Sequence, residues 1–399
     1  MSAALRTVVV VGASLAGLRA VEALRARGFD GRLVWVGGEP HAPYDRPPLS
    51  KEVLRGEWEP DRIALARDGV EAFRAELRFG VRAEALDTAA RRVRLADGAE
   101  IAFDGLVIAT GAAARPLPGQ PDLAGVHLLR TLDDALAIRA ALAAGPRVAV
   151  VGGGFIGAEV AASCRQRGLE VAMIEALGHP LEQAMGPEIG ALFAALHREH
   201  GVRLETGAPV AALEGDGRVE RVRLADGRTL AADLVVVGIG VRPETAWLEG
   251  SGLALRDGVV CDARCRAAPG IVAAGDVARW PHPRWGELRI EHWTNAVEQA
   301  GAAVDALLDG DAAPPFAPVP YVWSDQYDAK LFVAGRPRGG DELRVVEGAL
   351  AERRFVALFG RAGRLTGAAA IGPARRFLPW RRALAEDLGF DEAIARAGS

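Results

Sequence analysis

The chain has 399 residues, 50% of them hydrophobic and 25% charged, and a formal net charge of −4. That is the composition of a globular protein with room for two or three cored domains. It excludes a general basic attraction to nucleic acid or to a membrane surface, and no apolar run approaches the roughly 20 residues a bilayer span needs.

The opening "MSAALRTVVVVG" lacks the charged start, apolar run and cleavage site of a signal peptide, so the expected location is the cytoplasm. Residues 7–11, "TVVVV", read as a strand, residues 12–28 as a Gly-rich turn and an Ala/Leu helix, and "RLVWVG" (32–37) as a second strand. This is a βαβ unit with parallel strands. A polar, β-rich stretch ends in "ADGAEIAFDGLVIATGAAARP" (96–116). The pattern then returns: "RVAVV" from 147, a Gly-rich turn and helix, "LEVAMIE" to 175, and "ADGRTLAADLVVVGIGVRP" (225–243). The chain carries a whole domain twice. "GIVAAGDVARW" (270–280) and a helix over 294–310 follow. The Pro-rich "DAAPPFAPVP" (311–320) reads as a linker. From about 321 a third, smaller domain is expected, with strands in "KLFVAG" and "RFVALFG" and one closing helix near 380–395.

A Gly-rich strand-to-helix turn binds phosphate because free backbone N–H groups and the positive end of the helix dipole meet there. In the second copy the fingerprint is complete: Gly152, Gly154 and Gly157. Glu175 ends the next strand 23 residues after Gly152, where an acid accepts from a ribose 2′-hydroxyl and repels a 2′-phosphate. NADH is therefore expected over NADPH. In the first copy Gly12 and Gly17 keep the outer places, Ser14 takes the middle one, and Glu39 takes the ribose position. Two NAD sites make poor chemistry, since a second nicotinamide only passes hydride back. An NAD site beside a flavin site makes sense.

Residues 43–51, "PYDRPPLSK", place two adjacent prolines between Arg46 and Lys51. Adjacent prolines suit neither a helix interior nor a central strand. This reads as a rigid connection holding two cations in fixed places.

The order of motifs is a Gly-rich turn, "ATG" (109–111), a second Gly-rich turn, "GIG" (238–240) and "AAGD" (273–276). It resembles the two-dinucleotide-binding flavoprotein disulfide reductase superfamily. "PYDRPPLSK", "LRTLDDA", "EHWTNAVEQA" and "PYVWSDQYDAK" are similar to segments of the NADH-dependent, putidaredoxin reductase-like ferredoxin reductases that serve cytochrome P450s and Rieske-type oxygenases. The resemblance implies an α/β fold of the glutathione reductase type. It has two Rossmann-like dinucleotide-binding domains, for FAD and NAD, and a smaller α+β C-terminal domain. Residues 1–113 and 245–318 would form the FAD domain, 114–244 the NAD domain and 319–399 the C-terminal domain.

The resemblance also carries residue roles. Asp276 is expected at the FAD ribitol or pyrophosphate, Ala83 at the adenine through its backbone, and Arg130 near the FAD. Leu15, Ala16, Thr110, Gly111, Val277 and His292 complete the FAD set; Phe155, Ile156, Gly238, Ile239 and Gly240 complete the NAD set. Trp293 and Trp323 are expected against the flavin. Arg46 and Lys51 would stabilise the negative charge of the reduced ring, helped by the dipole of the helix beginning near Thr294. Glu159 is expected near the nicotinamide, within reach of Lys51.

Of the three cysteines, Cys164, Cys261 and Cys265, none lies in "YDRPPLSKEVLRG", where disulfide-reducing relatives keep a redox thiol. Cys261 and Cys265 read as a strand residue and a loop residue rather than a redox pair, and no metal-ligand spacing occurs. Electrons are therefore expected to leave singly, to a small acidic [2Fe–2S] ferredoxin. The run "GPARRFLPWRRAL" (372–384), with Arg375, Arg376, Arg381, Arg382, Phe377 and Trp380, is a candidate dock. The alternatives are an NADH oxidase, a quinone or rubredoxin reductase, and a redox-gated interaction flavoprotein.

Overall fold

The computed structural model describes residues 5–398. Packing divides them into two units. One comprises the chain up to Asp45, Ala64–Ala113 and Arg242–Pro320. The other comprises Arg46–Ile63, Ala114–Val241 and the chain from Tyr321 on.

The first unit is built on a six-stranded sheet in the order Arg266–Ala268, Ile271–Ala273, Gly105–Ile108, Thr7–Val11, Arg32–Gly37, Glu76–Phe79. All neighbours pair in parallel except the first two, which are antiparallel. The Val-rich central strands are covered on both faces, as a parallel sheet requires: Val8, Val9, Val10, Leu106 and Val107 are fully buried. Helices Leu15–Ala26 and Trp293–Asp309 pack together on this sheet. The second helix thus begins one residue before the expected start.

The second unit repeats the plan. Its five-stranded parallel sheet runs Arg203–Thr206, Val171–Glu175, Val148–Val151, Leu234–Val237, Val126–Leu128. Each unit also carries a three-stranded antiparallel sheet, Ala83–Asp87, Arg92–Leu95, Glu100–Ala102 in one and Val210–Glu214, Arg221–Leu224, Thr229–Ala231 in the other. Their middle strands and following turns have identical sequences, "RVRLADG" at 92–98 and 221–227. That is the sharpest trace of the duplication.

The C-terminal part of the second unit is a five-stranded antiparallel sheet. Its order is Tyr321–Gln326, Ala329–Gly335, Arg364–Ile371, Arg354–Arg361, Glu342–Ala349. Met185, Ile189, Phe193 and Leu196 of helix Glu182–Glu199 bury themselves against Leu331, Val333, Phe355 and Phe359 of this sheet.

Two expectations are corrected here. The segment 311–320 is no free linker. Phe316 is buried, its N–H donates to Ala263, its carbonyl accepts from the Trp280 indole, and the Pro318 carbonyl meets His282. Prolines remove donors but leave carbonyls, and the Pro318 carbonyl, with that of Phe316, straps the segment to the first unit. The single closing helix is two, Ala374–Ala385 and Phe390–Ala397, broken where Asp387 takes a positive φ of 58°. No helix among the described residues is long and apolar enough to cross a membrane.

Candidate cofactor sites and a buried ion pair

In the first unit the expected FAD residues gather at one edge of the sheet. Strand Thr7–Val11 ends at Gly12, Arg32–Gly37 leads to Glu39, Gly105–Ile108 leads to Thr110 and Gly111, and Ile271–Ala273 leads to Asp276 and Val277. These are the C-terminal ends of neighbouring parallel strands. The chain order reverses between Thr7–Val11 and Gly105–Ile108, and a crevice opens at such a point. Gly12 has φ +123°, and a Cβ there would lie 2.0 Å from the Ala109 carbonyl oxygen. A Cβ on Gly17 would lie 1.8 Å from the Gly12 carbonyl oxygen. Both outer glycines are thus required by the fold. Ser14 caps the helix from extended backbone, and Leu15 and Ala16 are buried in its first turn.

The Glu39 carboxylate accepts from the Tyr44 hydroxyl. Ala83 opens the strand Ala83–Asp87, paired with Leu95. Thr110 donates from its hydroxyl to the Glu244 carbonyl at 2.8 Å. The Trp293 indole N–H donates to Asp45 at 2.7 Å, at the first residue of its helix, with His292 as cap. Asp45 is a residue that sequence reasoning passed over.

In the second unit the NAD set gathers in the same way. Gly152, with φ +102°, would drive a Cβ to 2.4 Å from the Gly238 carbonyl oxygen, and a Cβ on Gly157 would lie 2.0 Å from the Gly152 carbonyl oxygen. Gly154 differs: a Cβ there meets nothing within 4 Å. The protein does not itself need glycine at that place, so the open ground above the helix N-terminus fits the close approach of a diphosphate. Phe155 and exposed Ile156 begin the helix Phe155–Gln166, and Ile239 and Gly240 border the turn after Leu234–Val237. Each Glu175 carboxylate oxygen takes one backbone N–H, from Gly153 at 2.7 Å and from Leu177 at 2.8 Å. Each keeps lone pairs for a ribose hydroxyl.

Three residues assigned to FAD by resemblance, Arg46, Lys51 and Arg130, pack within the second unit. Arg46 donates to the Arg130 carbonyl at 2.6 Å. Pro47–Ser50 form a 3₁₀ turn with the prolines at its start, where no N–H is missed, and Lys51 joins it to the one-turn helix Glu52–Arg55. Lys51 is no surface lysine. It is 6% exposed, and its ammonium lies 2.8 Å from Glu159, itself 3% exposed.

Glu159 collects more donors than Lys51. The Ser50 hydroxyl gives to the same carboxylate oxygen at 2.6 Å, and the Ser324 hydroxyl gives to the other at 2.8 Å. Ser163 secures the Ser50 carbonyl at 2.7 Å. Burying an ion pair costs several kcal/mol per charge unless further hydrogen bonds satisfy it, and these serines do so. Sequence reasoning missed Ser50, Ser163 and Ser324. Short hydroxyl residues carry no signal until the fold brings them to a buried carboxylate. Trp323, next to Ser324 in the first strand of the C-terminal sheet, stands 6.0 Å from the Tyr321 ring.

The chain matches the family model for pyridine nucleotide-disulphide oxidoreductases over residues 6–300 and the reductase C-terminal model over 321–397. The chain belongs to the pyridine nucleotide-disulphide oxidoreductase family. Among relatives, it is 41% identical over 386 residues to the ferredoxin–NAD(+) reductase component of an anthranilate 1,2-dioxygenase system from Burkholderia cepacia, covering 93% of each chain. It is 37% identical over 390 residues to rhodocoxin reductase from Rhodococcus erythropolis, covering 96% of this chain and 90% of that one. Its structure aligns with putidaredoxin reductase, solved in covalent complex with putidaredoxin. The TM-score is 0.91 at 33% identity, over 96% of this chain and 94% of that one. The α/β two-dinucleotide fold with its C-terminal domain and the use of FAD and NAD are those of this family.

The disulphide in the family's description has no counterpart here among the described residues. Cys164, Cys261 and Cys265 are free and buried. Burial pushes the thiols of Cys164 and Cys265 up to about 12, and that of Cys261 upward too. A thiol that does not ionise at neutral pH is no redox nucleophile. The arginine-rich run is also corrected. It forms helix Ala374–Ala385, with Phe377 and Trp380 buried at 1% and 9% exposure, so these aromatics belong to the core. Phe377 stacks on Phe332 at 5.7 Å. Arg375 and Arg382 remain exposed, Arg376 pairs with Glu347, and Arg381 lies over the Tyr321 ring at 5.0 Å.

Proposed function

We propose that this protein is the NADH-dependent reductase of an oxygenase electron-transfer chain, passing electrons to a small acidic [2Fe–2S] ferredoxin that serves a cytochrome P450 or a Rieske-type oxygenase. The observation that carries the reading is the pair of glycine turns, each at a parallel-strand edge with an acid at or just past the end of the neighbouring strand. They sit in a chain whose likeness to ferredoxin reductases extends through the C-terminal domain. Gly12, Ser14, Glu39, Thr110 and Asp276 would hold FAD, and Gly152, Gly154, Glu175 and Gly238 would hold NADH. FAD, when bound, takes two electrons from NADH and releases them one at a time. Lys51, held by Glu159, would supply a positive charge that favours a reduced flavin. The exposed Arg375 and Arg382 face an acidic partner. We propose the cytoplasm as its compartment, a reading that the free, buried cysteines fit.

The test is steady-state reduction of cytochrome c by NADH with and without a small acidic [2Fe–2S] ferredoxin. The expected result is a strong dependence on ferredoxin. Equal rates in its absence, or direct consumption of oxygen at the same rate, would return the protein to the oxidases.

A further inference from the structure

Beyond Glu159 the buried hydrogen bonds continue. The Gln326 amide nitrogen donates to Ser324 Oγ at 3.2 Å, the Gln326 amide oxygen meets His197 Nε2 at 3.0 Å, and His197 Nδ1 meets the Tyr327 hydroxyl at 3.0 Å. The exposed His200 stacks on Tyr327 with ring centroids 3.7 Å apart. Ser324, Gln326 and His197 are 0% exposed.

The direction of every bond can be assigned. An amide oxygen only accepts, so His197 Nε2 carries the hydrogen. Burial lowers the His197 pKa to about 4, which leaves the ring neutral at pH 7. Nδ1 is then an acceptor, and the Tyr327 hydroxyl donates to it. Gln326 donates to Ser324, so the Ser324 hydrogen is left for Glu159. Tyr327, His197, Gln326 and Ser324 therefore all donate in one sense, toward the carboxylate. Such aligned chains polarise and strengthen one another in a buried setting. Ser324 and Gln326 are two apart on one strand of the C-terminal sheet, so they share a face. His197 comes from helix Glu182–Glu199, the helix packed under that sheet.

We infer that the C-terminal sheet is part of the electron-input machinery: Ser324, oriented by Gln326 and His197, is a positioning residue that holds Glu159 and, through it, Lys51. This rests on the reading above that Lys51 and Glu159 act in the reductive step. The juxtaposition that carries it is a line of uniformly directed donors running from a different domain to the otherwise unfilled oxygen of a buried carboxylate.

The experiment compares wild type, Ser324→Ala, Gln326→Met, Glu159→Gln and Ser324→Ala/Glu159→Gln as yellow holoproteins. It measures stopped-flow bleaching by NADH, the flavin midpoint potential and thermal unfolding. Loss of one hydrogen bond to a charged group predicts bleaching about tenfold slower in Ser324→Ala. A smaller slowing is expected in Gln326→Met, and no further slowing when Ser324→Ala is added to Glu159→Gln. The potential should move in the same direction in Ser324→Ala and Glu159→Gln. If Ser324→Ala does not fold, Ser324→Cys keeps the volume with a weak donor and should fall between wild type and Glu159→Gln. Slow Glu159→Gln with wild-type bleaching and potential in the Ser324 variant would overturn the inference and leave the role of Glu159 standing, even if the two changes were coupled in Tm. Wild-type behaviour of Glu159→Gln itself would overturn the underlying reading and the inference with it.

Discussion

Gly12 and Gly152 stand at the same point of two copies of one βαβ unit, and the two turns secure their acids differently. In the first, Glu39 lies beyond the strand and is gripped by a side chain, the Tyr44 hydroxyl. In the second, Glu175 is the last residue of its strand and is gripped by backbone, the N–H groups of Gly153 and Leu177. The first turn carries a serine in its middle place, whereas the second carries a glycine that faces open space. The glycines demanded by the fold are common to both copies, and what varies is the middle place and the hold on the acid. A duplicated scaffold thus keeps its strand-to-helix geometry while the residues around each turn differ.

The harshest way to break the comparison is to block each turn in its own copy. Gly12→Ala drives a Cβ against the Ala109 carbonyl, so the protein should be isolated largely colourless. Gly152→Ala drives one against the Gly238 carbonyl. It should stay yellow and lose roughly 100-fold or more in kcat/KM for NADH, the effect of about 2.7 kcal/mol of strain. Visible spectra and NADH bleaching report both. Loss of flavin in the second variant alone would reverse the assignment of the two sites.

Coenzyme choice comes next. Glu175→Ala with Ala176→Arg removes the carboxylate that repels a 2′-phosphate and adds a cation. The kcat/KM ratio of NADH to NADPH should fall by roughly 10–100-fold, the scale of a lost hydrogen bond to a charged group. Equal use of both coenzymes by the unaltered protein would show that Glu175 does not meet the ribose.

Lys51→Met removes a cation from the second unit only. A loss of roughly 1–2 kcal/mol of charge stabilisation lowers the two-electron flavin potential by roughly 20–45 mV. Because Glu159 would then be buried without its cation, Lys51→Met/Glu159→Gln is the better-folded partner variant. An unchanged potential in both would limit the pair to stability.

The smallest effect is expected at the middle position. A Cβ at 154 meets no protein atom within 4 Å, so Gly154→Ser should unfold within about 0.5 kcal/mol of the parent while KM for NADH rises a few-fold. A change in stability without a change in KM would mean that the middle place serves the fold after all.

Most of the fold was legible in the sequence because its signals are local. A β-branched run followed by a Gly-rich turn and an Ala/Leu helix specifies strand, turn and helix from neighbouring residues, and both βαβ units fell within a residue or two of the expected bounds. The repeated "RVRLADG" and the acids at Glu39 and Glu175 are equally local, and so was the absence of cysteine beside Lys51. The sequence could not say which face a side chain takes. Phe377 and Trp380 looked like part of a basic display, yet the helical repeat turns them into the core. The Pro-rich segment 311–320 read as a linker, yet its Phe316 and Pro318 carbonyls find donors in Trp280 and His282. The pairing of Glu159 with Lys51 was expected from the resemblance, but tertiary structure alone decided its other surroundings. Ser50, His197, Ser324 and Gln326 come from distant parts of the chain, and a hydroxyl or an amide is neutral in meaning until burial makes an unfilled carboxylate oxygen costly. Local pattern set the elements, while the demand that buried charge be satisfied set the site.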